Sequence, residues 1–308
     1  MDVKKYDVVV VGGGPGGYTA ALYAVRAGLS ALVIEKLSAG GQMATTSWID
    51  NYPGFDEGID GFELGQQMQR GAERFGAQTL YAEVTQLFLN EQPKRIRTSE
   101  GEILAGTVVI ATGAAPRKIG LPEEDVFQGR GVAYCATCDG MFYRDKIVAV
   151  AGGGNSAAED ALVLSKLCKK VYLVHRRDHL RAMKSYHTML EQAENIEFVW
   201  NQKIIGLVGE EKLRGISLED TQSGQQKELS VDGLFVAIGR IPNTELVRDQ
   251  LNLDEQGYIL ADETTRTNIP GVYAVGDVRT KPLRQVVTAV GDGAVAIKYA
   301  QEFLENNG

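Results

Sequence analysis

The sequence predicts an α/β fold of two Rossmann-like units of the three-layer ββα type, one inserted into the other. Three observations predict it. Short, continuous, β-branched runs that read as buried parallel strands lead into glycine turns and then into helical patterns. The strand–turn–helix–strand unit recurs at a constant offset of 140 residues, taking Gly12 to Gly152, Gly14 to Gly154 and Leu22 to Leu162. A last buried strand, Val272–Asp277, follows only after the second unit has run its course, so the first unit is split in sequence.

The first unit opens with Tyr6–Val11, a strand-sized run of four valines after Tyr6 and Asp7. It enters Gly12-x-Gly14-x-x-Gly17, a helical pattern from Tyr18 to Ala27, Gly28, and a second strand, Ala31–Ile34, that ends on Glu35. Glycines at this spacing let backbone N–H groups approach a pyrophosphate at a helix N-terminus, and the acid is placed for ribose hydroxyls. Gly40-Gly41-Gln42 and Asn51-Tyr52-Pro53-Gly54 are loops in which a ligand can lie against backbone. Gly61–Gly76 reads as an amphipathic helix. Thr107–Gly113 is a buried strand ending in a small-residue turn, and Gly113–Arg117 reads as a linker.

The second unit has Lys146–Ala151 as its strand, then Gly152-x-Gly154-x-x-Ala157, a helix to about Cys168, and the strand Val171–Val174. The register holds to the end of the repeat, where Glu35-Lys36 is replaced by His175-Arg176-Arg177, with Arg181 beyond. An acid repels a ribose 2′-phosphate and arginines bind one. The first site therefore reads as FAD and the second as NADPH. Strands continue from Ile196 to Ala237, Ile238–Thr244 is the return linker, and Arg284-Gln285-Val286 leads into a helix to about Glu305. The expected division is 1–115 and 244–308 for a split FAD domain and 116–243 for an inserted NADPH domain.

Between the two fingerprints lies Cys135-Ala136-Thr137-Cys138-Asp139. Two cysteines separated by two residues can close into a disulfide and open again, and the low-pKa thiolate such a pair favours makes thiol exchange fast. Zinc would need further ligands. The one other cysteine, Cys168, falls inside a predicted helix, and His175, His179 and His187 lack a matching spacing, so the motif reads as redox and no metal is expected. The net charge of −8, without a basic block, argues against nucleic acid and anionic membranes. The longest apolar runs are strand-sized, and no signal-peptide apolar region precedes Gly12, so a cytoplasmic protein is expected.

Together these motifs resemble the low-molecular-weight, bacterial-type thioredoxin reductases across essentially the whole chain. The matching residues are the two fingerprints, Gly40-Gly41-Gln42, Ala111-Thr112-Gly113, the Cys135–Asp139 motif, His175-Arg176-Arg177-x-x-x-Arg181, and Gly276-Asp277 with Arg284-Gln285. The resemblance implies that NADPH reduces FAD, FAD reduces a Cys135–Cys138 disulfide, and the dithiol reduces oxidised thioredoxin, with Cys138 nearer the flavin and Asp139 as acid/base. It implies FAD contacts from Gly12, Gly14, Pro15, Gly17, Glu35, Lys36, Gly41, Gln42, Asn51, Ala111, Thr112, Gly113, Gly276, Asp277, Arg284, Gln285 and Val286, with Gly276-Asp277 at the ribityl chain. For NADPH it implies Gly152, Gly154, Asn155, Ser156, Ala157, His175, Arg176, Arg177, Arg181, Gly239 and Arg240. A homodimer is likewise implied. Relatives that take electrons from ferredoxin tend to lack the second fingerprint or the arginine cluster. This sequence keeps both, which favours NADPH and counts against a flavin sensor without turnover.

Overall fold

A computed structural model describes residues 4–46 and 48–307. The chain divides into two compact units, Met1–Ala115 with Ile241–Gly308, and Pro116–Arg240. The return crossing thus falls three residues before the expected boundary at 243.

The first unit begins with β1 (Lys4–Val11), α1 (Pro15–Arg26), β2 (Ala31–Glu35), α2 (Gly61–Glu73), β3 (Gln78–Tyr81), β4 (Val84–Phe88), β5 (Lys94–Thr98) and β6 (Gly101–Ile110). The helix α2 starts where Asp60 accepts the Glu63 N–H at 2.9 Å, a side-chain cap on an otherwise orphan donor. The outward connection contains β7 (Ala114–Pro116). The second unit carries α3 (Glu124–Phe127), β8 (Val132–Ala133), α4 (Ala136–Asp139), β9 (Ile147–Ala151), α5 (Asn155–Ser165), β10 (Lys170–Val174), α6 (Lys184–Gln192) and β11 (Ile196–Val199). It continues with β12 (Gln202–Gly209), β13 (Leu213–Asp220), β14 (Gln226–Ser230) and β15 (Gly233–Val236). The return connection holds β16 (Arg240–Pro242), and the first unit is completed by β17 (Val272–Ala274) and α7 (Val286–Asn307).

In the first unit the strands lie in the order β3-β2-β1-β6-β5-β4, and β17 also pairs with β6. The long strand β6 forks. Gly101–Ala105 pair antiparallel with β5, whereas Val108–Ile110 pair parallel with β17. The period-two alternation of β1 sorts its valines onto two faces. Val8 and Val10 pack with Tyr18, Ala20, Ala24, Ala296 and Ile297 of α1 and α7. Val9 and Val11 pack with Leu87, Ile96 and Ile103 of the antiparallel strands and with Val247 and Leu251. Helices, parallel sheet and antiparallel strands are the three layers.

The second unit repeats this plan. Its parallel sheet runs β11-β10-β9-β15-β8, and β12-β13-β14 form an antiparallel sheet of their own. Val148 and Val150 face the helices with Ala157, Ala161 and Leu164, while Ala149 and Ala151 face Ile204, Ile216 and Leu218 of the antiparallel sheet. The α/β class with two Rossmann-like units is borne out. Cys168 is a correction: it is buried, but α5 ends at Ser165 and the cysteine lies in the turn before β10. The helix α6, between Val174 and Ile196, was not expected from the sequence. No helix among the described residues is long and apolar enough to cross a membrane.

Candidate active site

The two glycine turns have matching constructions. Gly12 has φ +108° and Gly152 φ +155°, and a Cβ on either would stand 2.4 Å from a carbonyl oxygen, Ala111 O or Ala237 O. No L side chain fits there. At the third position, a Cβ on Gly17 would be 2.0 Å from Gly12 O, so glycine is required. The second turn accepts Ala157, which is wholly buried against Gly152. Gly14 and Gly154 are the N-cap residues of α1 and α5, both extended, with no side-chain cap, and nothing stands within 4 Å of a Cβ built on either. Each helix thus presents uncapped N–H groups to open space, which suits a pyrophosphate. On that observation both turns fit a dinucleotide.

A residue at the end of the second strand, Glu35 on β2 and His175 just after β10, returns to the middle glycine in each unit. Glu35 accepts the Gly13 N–H at 2.7 Å through Oε2, and the Lys36 and Leu37 N–H groups at 2.8 and 3.1 Å through Oε1. Those bonds aim its carboxylate across the turn and leave lone pairs for ribose hydroxyls. Lys36 points elsewhere, pairing with Glu83 at 2.7 Å. Gly40 donates to Gly13 O at 2.8 Å, bringing Gly41 (φ +55°) over Gly14 and leaving Gln42 exposed. Thr112 and Gly113 are tied to Asn243 by three hydrogen bonds of 2.6–3.0 Å. Asn51 Nδ2 donates to Gln285 Oε1 at 3.1 Å, which joins two loops far apart in sequence just before Val286 opens α7. Gly276 has φ +72°, and Arg284 stacks on the Tyr258 ring at 4.0 Å while reaching toward Asp277 O.

In the second unit His175 takes the place of Glu35. A Cβ on Gly153 would lie 2.3 Å from its ring, so the imidazole covers the turn. His175 is buried and its Nε2 has no hydrogen-bond partner among the described residues. Burial holds its pKa below the usual value, and the positive charges of Arg181, Arg177 and Arg176 add to the effect. The three exposed arginines thus each act on His175 beside its orphaned buried nitrogen, a set of positive charges that suits a phosphate group. Asn155 Oδ1 accepts the Met183 N–H at 2.9 Å and steadies this loop, while Ser156 is exposed at the helix start. Gly239 (φ +108°) accepts the Arg117 N–H, and Arg240 follows within electrostatic reach of Asp160.

Cys135 and Cys138 form a disulfide, with their Cα atoms 5.3 Å apart, across one turn in which Asp139 N donates to Cys135 O at 3.0 Å. Thr137 Oγ1 lies 3.3 Å from Cys135 Sγ. Burial pushes the Asp139 carboxyl up to about 6, so it can carry a proton near neutrality. Met141 and Phe142, directly after the motif, are half exposed, at 50% and 45%. Cys168 is a contrast: burial raises its thiol to about 11, which makes it a poor nucleophile.

Comparison with known proteins agrees with this geometry. The family model for pyridine nucleotide-disulphide oxidoreductases matches residues 6–293. The chain is 44% identical to a thioredoxin reductase of Streptomyces clavuligerus over 97% of its length and 94% of that protein. It is 41% identical to a thioredoxin reductase of Bacillus subtilis, covering 98% of this chain and 96% of that one. The chain belongs to the thioredoxin reductase family. A thioredoxin reductase from Streptococcus pyogenes, 41% identical, superposes with a TM-score of 0.92 over 99% of this chain and 100% of that structure.

The structure also shows a residue of this thioredoxin reductase family member that sequence reasoning missed. Asp160, on α5, accepts the N–H of Ala136, the residue after Cys135. Burial pushes its carboxyl up to about 7, aided by the Glu159 charge and opposed by the Ala136 N–H and the Arg240 cation. An acid one position from Glu159 in a helical pattern looks like solvated surface. Only the packing of α4 on α5 reveals its partner.

Proposed function

We propose that this protein is an NADPH-dependent flavoprotein that reduces the disulfide of thioredoxin. The observation that carries the reading is the Cys135–Cys138 disulfide, held in the same unit as an uncapped glycine turn covered by His175, on which Arg176, Arg177 and Arg181 act. FAD, when bound, supplies the two-electron relay between NADPH and that disulfide. The first unit would hold its pyrophosphate at Gly12–Gly17, its ribose at Glu35 and its ribityl chain at Gly276–Asp277. The second would hold the adenine-side phosphate of NADPH with His175 and the arginines, and the pyrophosphate at Gly152–Ala157.

Two electrons and one proton open the Cys135–Cys138 bond to one thiolate and one thiol. Asp139, which follows Cys138 in the chain and whose carboxyl is pushed up to about 6 by burial, is suited to hold and return a proton there. The thiolate then attacks a disulfide sulfur of the substrate, and the second cysteine displaces the reduced product and restores the intramolecular bond. Half-exposed Met141 and Phe142 beside the motif offer apolar area suited to a protein substrate. The reading includes a homodimer, as the family resemblance implies, and a cytoplasmic location, as expected from the sequence. An anaerobic titration with NADPH tests it: the flavin absorbance should bleach and then recover on addition of oxidised thioredoxin. A protein that keeps its colour under NADPH would refute the reading.

A further inference from the structure

We propose that Asp292 is a positioning residue that holds the Gly276–Asp277 loop in register with the Gly12–Gly17 turn and so sets the grip on the flavin half of FAD. The inference rests on the reading of the first unit as the FAD site. Asp292 lies on α7, and its carboxylate is bonded to groups of the 276–281 segment. Its Oδ2 accepts three donors: the Gly276 N–H at 2.8 Å, Arg279 Nε at 2.9 Å and Lys281 Nζ at 2.7 Å. Its Oδ1 accepts Arg279 Nη2 at 2.6 Å. The three side chains are only 4–9% exposed.

The neighbouring residue completes the argument. Gly293 packs so closely on α1 that a Cβ there would be 2.3 Å from Gly16 O and 2.9 Å from Ala20 N. Two consecutive residues of one helix therefore touch both loops, Gly293 the pyrophosphate turn and Asp292 the start of the 276–284 loop. Arg279 carries the tether further, donating to the carbonyls of Thr280 at 2.9 Å and Ala261 at 3.3 Å. The Asp277 charge acts on Lys281, placing that carboxylate in the same electrostatic group. Burying one carboxylate between two cations is costly, and it stands only where every donor is satisfied. Here those donors come from the very loop that carries Gly276 and Asp277.

The test is release of FAD from the intact holoprotein, read as free-flavin fluorescence, with ADP as a competitor. On the same reading ADP, which lacks the ribityl chain and the flavin, would fill only the pyrophosphate turn and the ribose site. Asp292→Asn keeps the size and an acceptor but leaves two buried cations short of their counter-charge. Release should quicken by about tenfold or more, and the ADP concentration that displaces half the FAD should fall by the same factor. Lys281→Met, which keeps the Asp292–Arg279 pair, serves if the first variant does not fold. It should shift both readouts in the same direction by about threefold. Wild-type release in a folded variant would overturn the proposal. So would faster release with an unchanged ADP midpoint, because that means the whole site has loosened evenly. A colourless wild-type protein would instead remove the FAD reading itself, and with it this inference.

Discussion

Arg181 donates its backbone N–H to the Gly153 carbonyl at 2.6 Å, and the first unit has the same bond between Gly40 N and Gly13 O at 2.8 Å. In both units the loop after the second strand folds back onto the middle glycine. The repeat therefore extends past the strand–turn–helix–strand motif into the segment that, on the proposed reading, decides which nucleotide fits. In the first unit that segment is Gly40-Gly41. In the second it brings a guanidinium to the edge of the turn, close enough to depress the His175 pKa.

From that placement, Arg176, Arg177 and Arg181 should confer the preference for NADPH over NADH. A charge-assisted contact of about 1.5–3 kcal/mol corresponds to a preference of about tenfold or more. Changing all three to Ala should raise the KM for NADPH by that factor, leave kcat near wild type, and leave NADH kinetics almost unchanged. Steady-state kinetics with both nucleotides checks this. A preference that survives the triple change would place the phosphate site elsewhere.

Glu35 should matter for flavin retention through its carboxylate. It accepts three backbone N–H groups and stands beside Gly13. Glu35→Ala removes the anchor of the turn and, on the proposed reading, the ribose acceptor. The purified variant should carry less than stoichiometric FAD, and its FAD dissociation constant should rise about tenfold or more. The absorbance ratio of flavin to protein after gel filtration is the measurement. A fully yellow variant would contradict the role.

The contrast between Glu35 and Asp292 shows what a chain reveals on its own. Glu35 was legible because the strand–turn–helix–strand spacing places it, and local geometry forces the residue ending β2 toward the turn. His175 was legible by the same register. Asp292 had no such signal, since its backbone partner, Gly276, lies sixteen residues away and meets it only when α7 packs on α1. Asp160 was hidden for the same reason. The helix α6 was missed because its sequence, Lys184–Gln192, is polar and buries only Leu190 among its residues. The end of α5 was overrun because Leu164, Leu167 and Cys168 keep an apolar pattern, whereas the chain has already turned toward β10.

The cysteines should separate the two half-reactions. Cys135→Ser and Cys138→Ser should each abolish thioredoxin reduction while NADPH still bleaches the flavin, because in the proposed sequence flavin reduction precedes thiol exchange. Cys168→Ser should leave both half-reactions near wild type, since its buried thiol stays protonated far above neutral pH. Anaerobic spectra and a thioredoxin assay on the three variants distinguish the roles. Loss of bleaching in both active-site variants would point to a structural pair.

Asp139 and Asp160 should make the stability of the oxidised protein fall as pH rises. Both carboxyls are harder to ionise in the folded chain, chiefly through burial, with values pushed up to about 6 and about 7 from 3.8. The folded chain therefore holds more protons than the unfolded one between those limits. Where that is so, raising the pH favours unfolding. The contribution of each group is fully present below its unfolded value and is lost as pH climbs through its folded value. Urea midpoints measured from about pH 4 to about 8 should decline across this window. Asp139→Asn should flatten the part below about pH 6, and Asp160→Asn, which can still accept the Ala136 N–H, the part up to about pH 7. The amide variants should also be the more stable proteins at pH 8, where the wild type must keep both half-buried carboxylates charged. Superimposable curves for wild type and variants would show that neither carboxyl is perturbed as the packing of α4 on α5 requires.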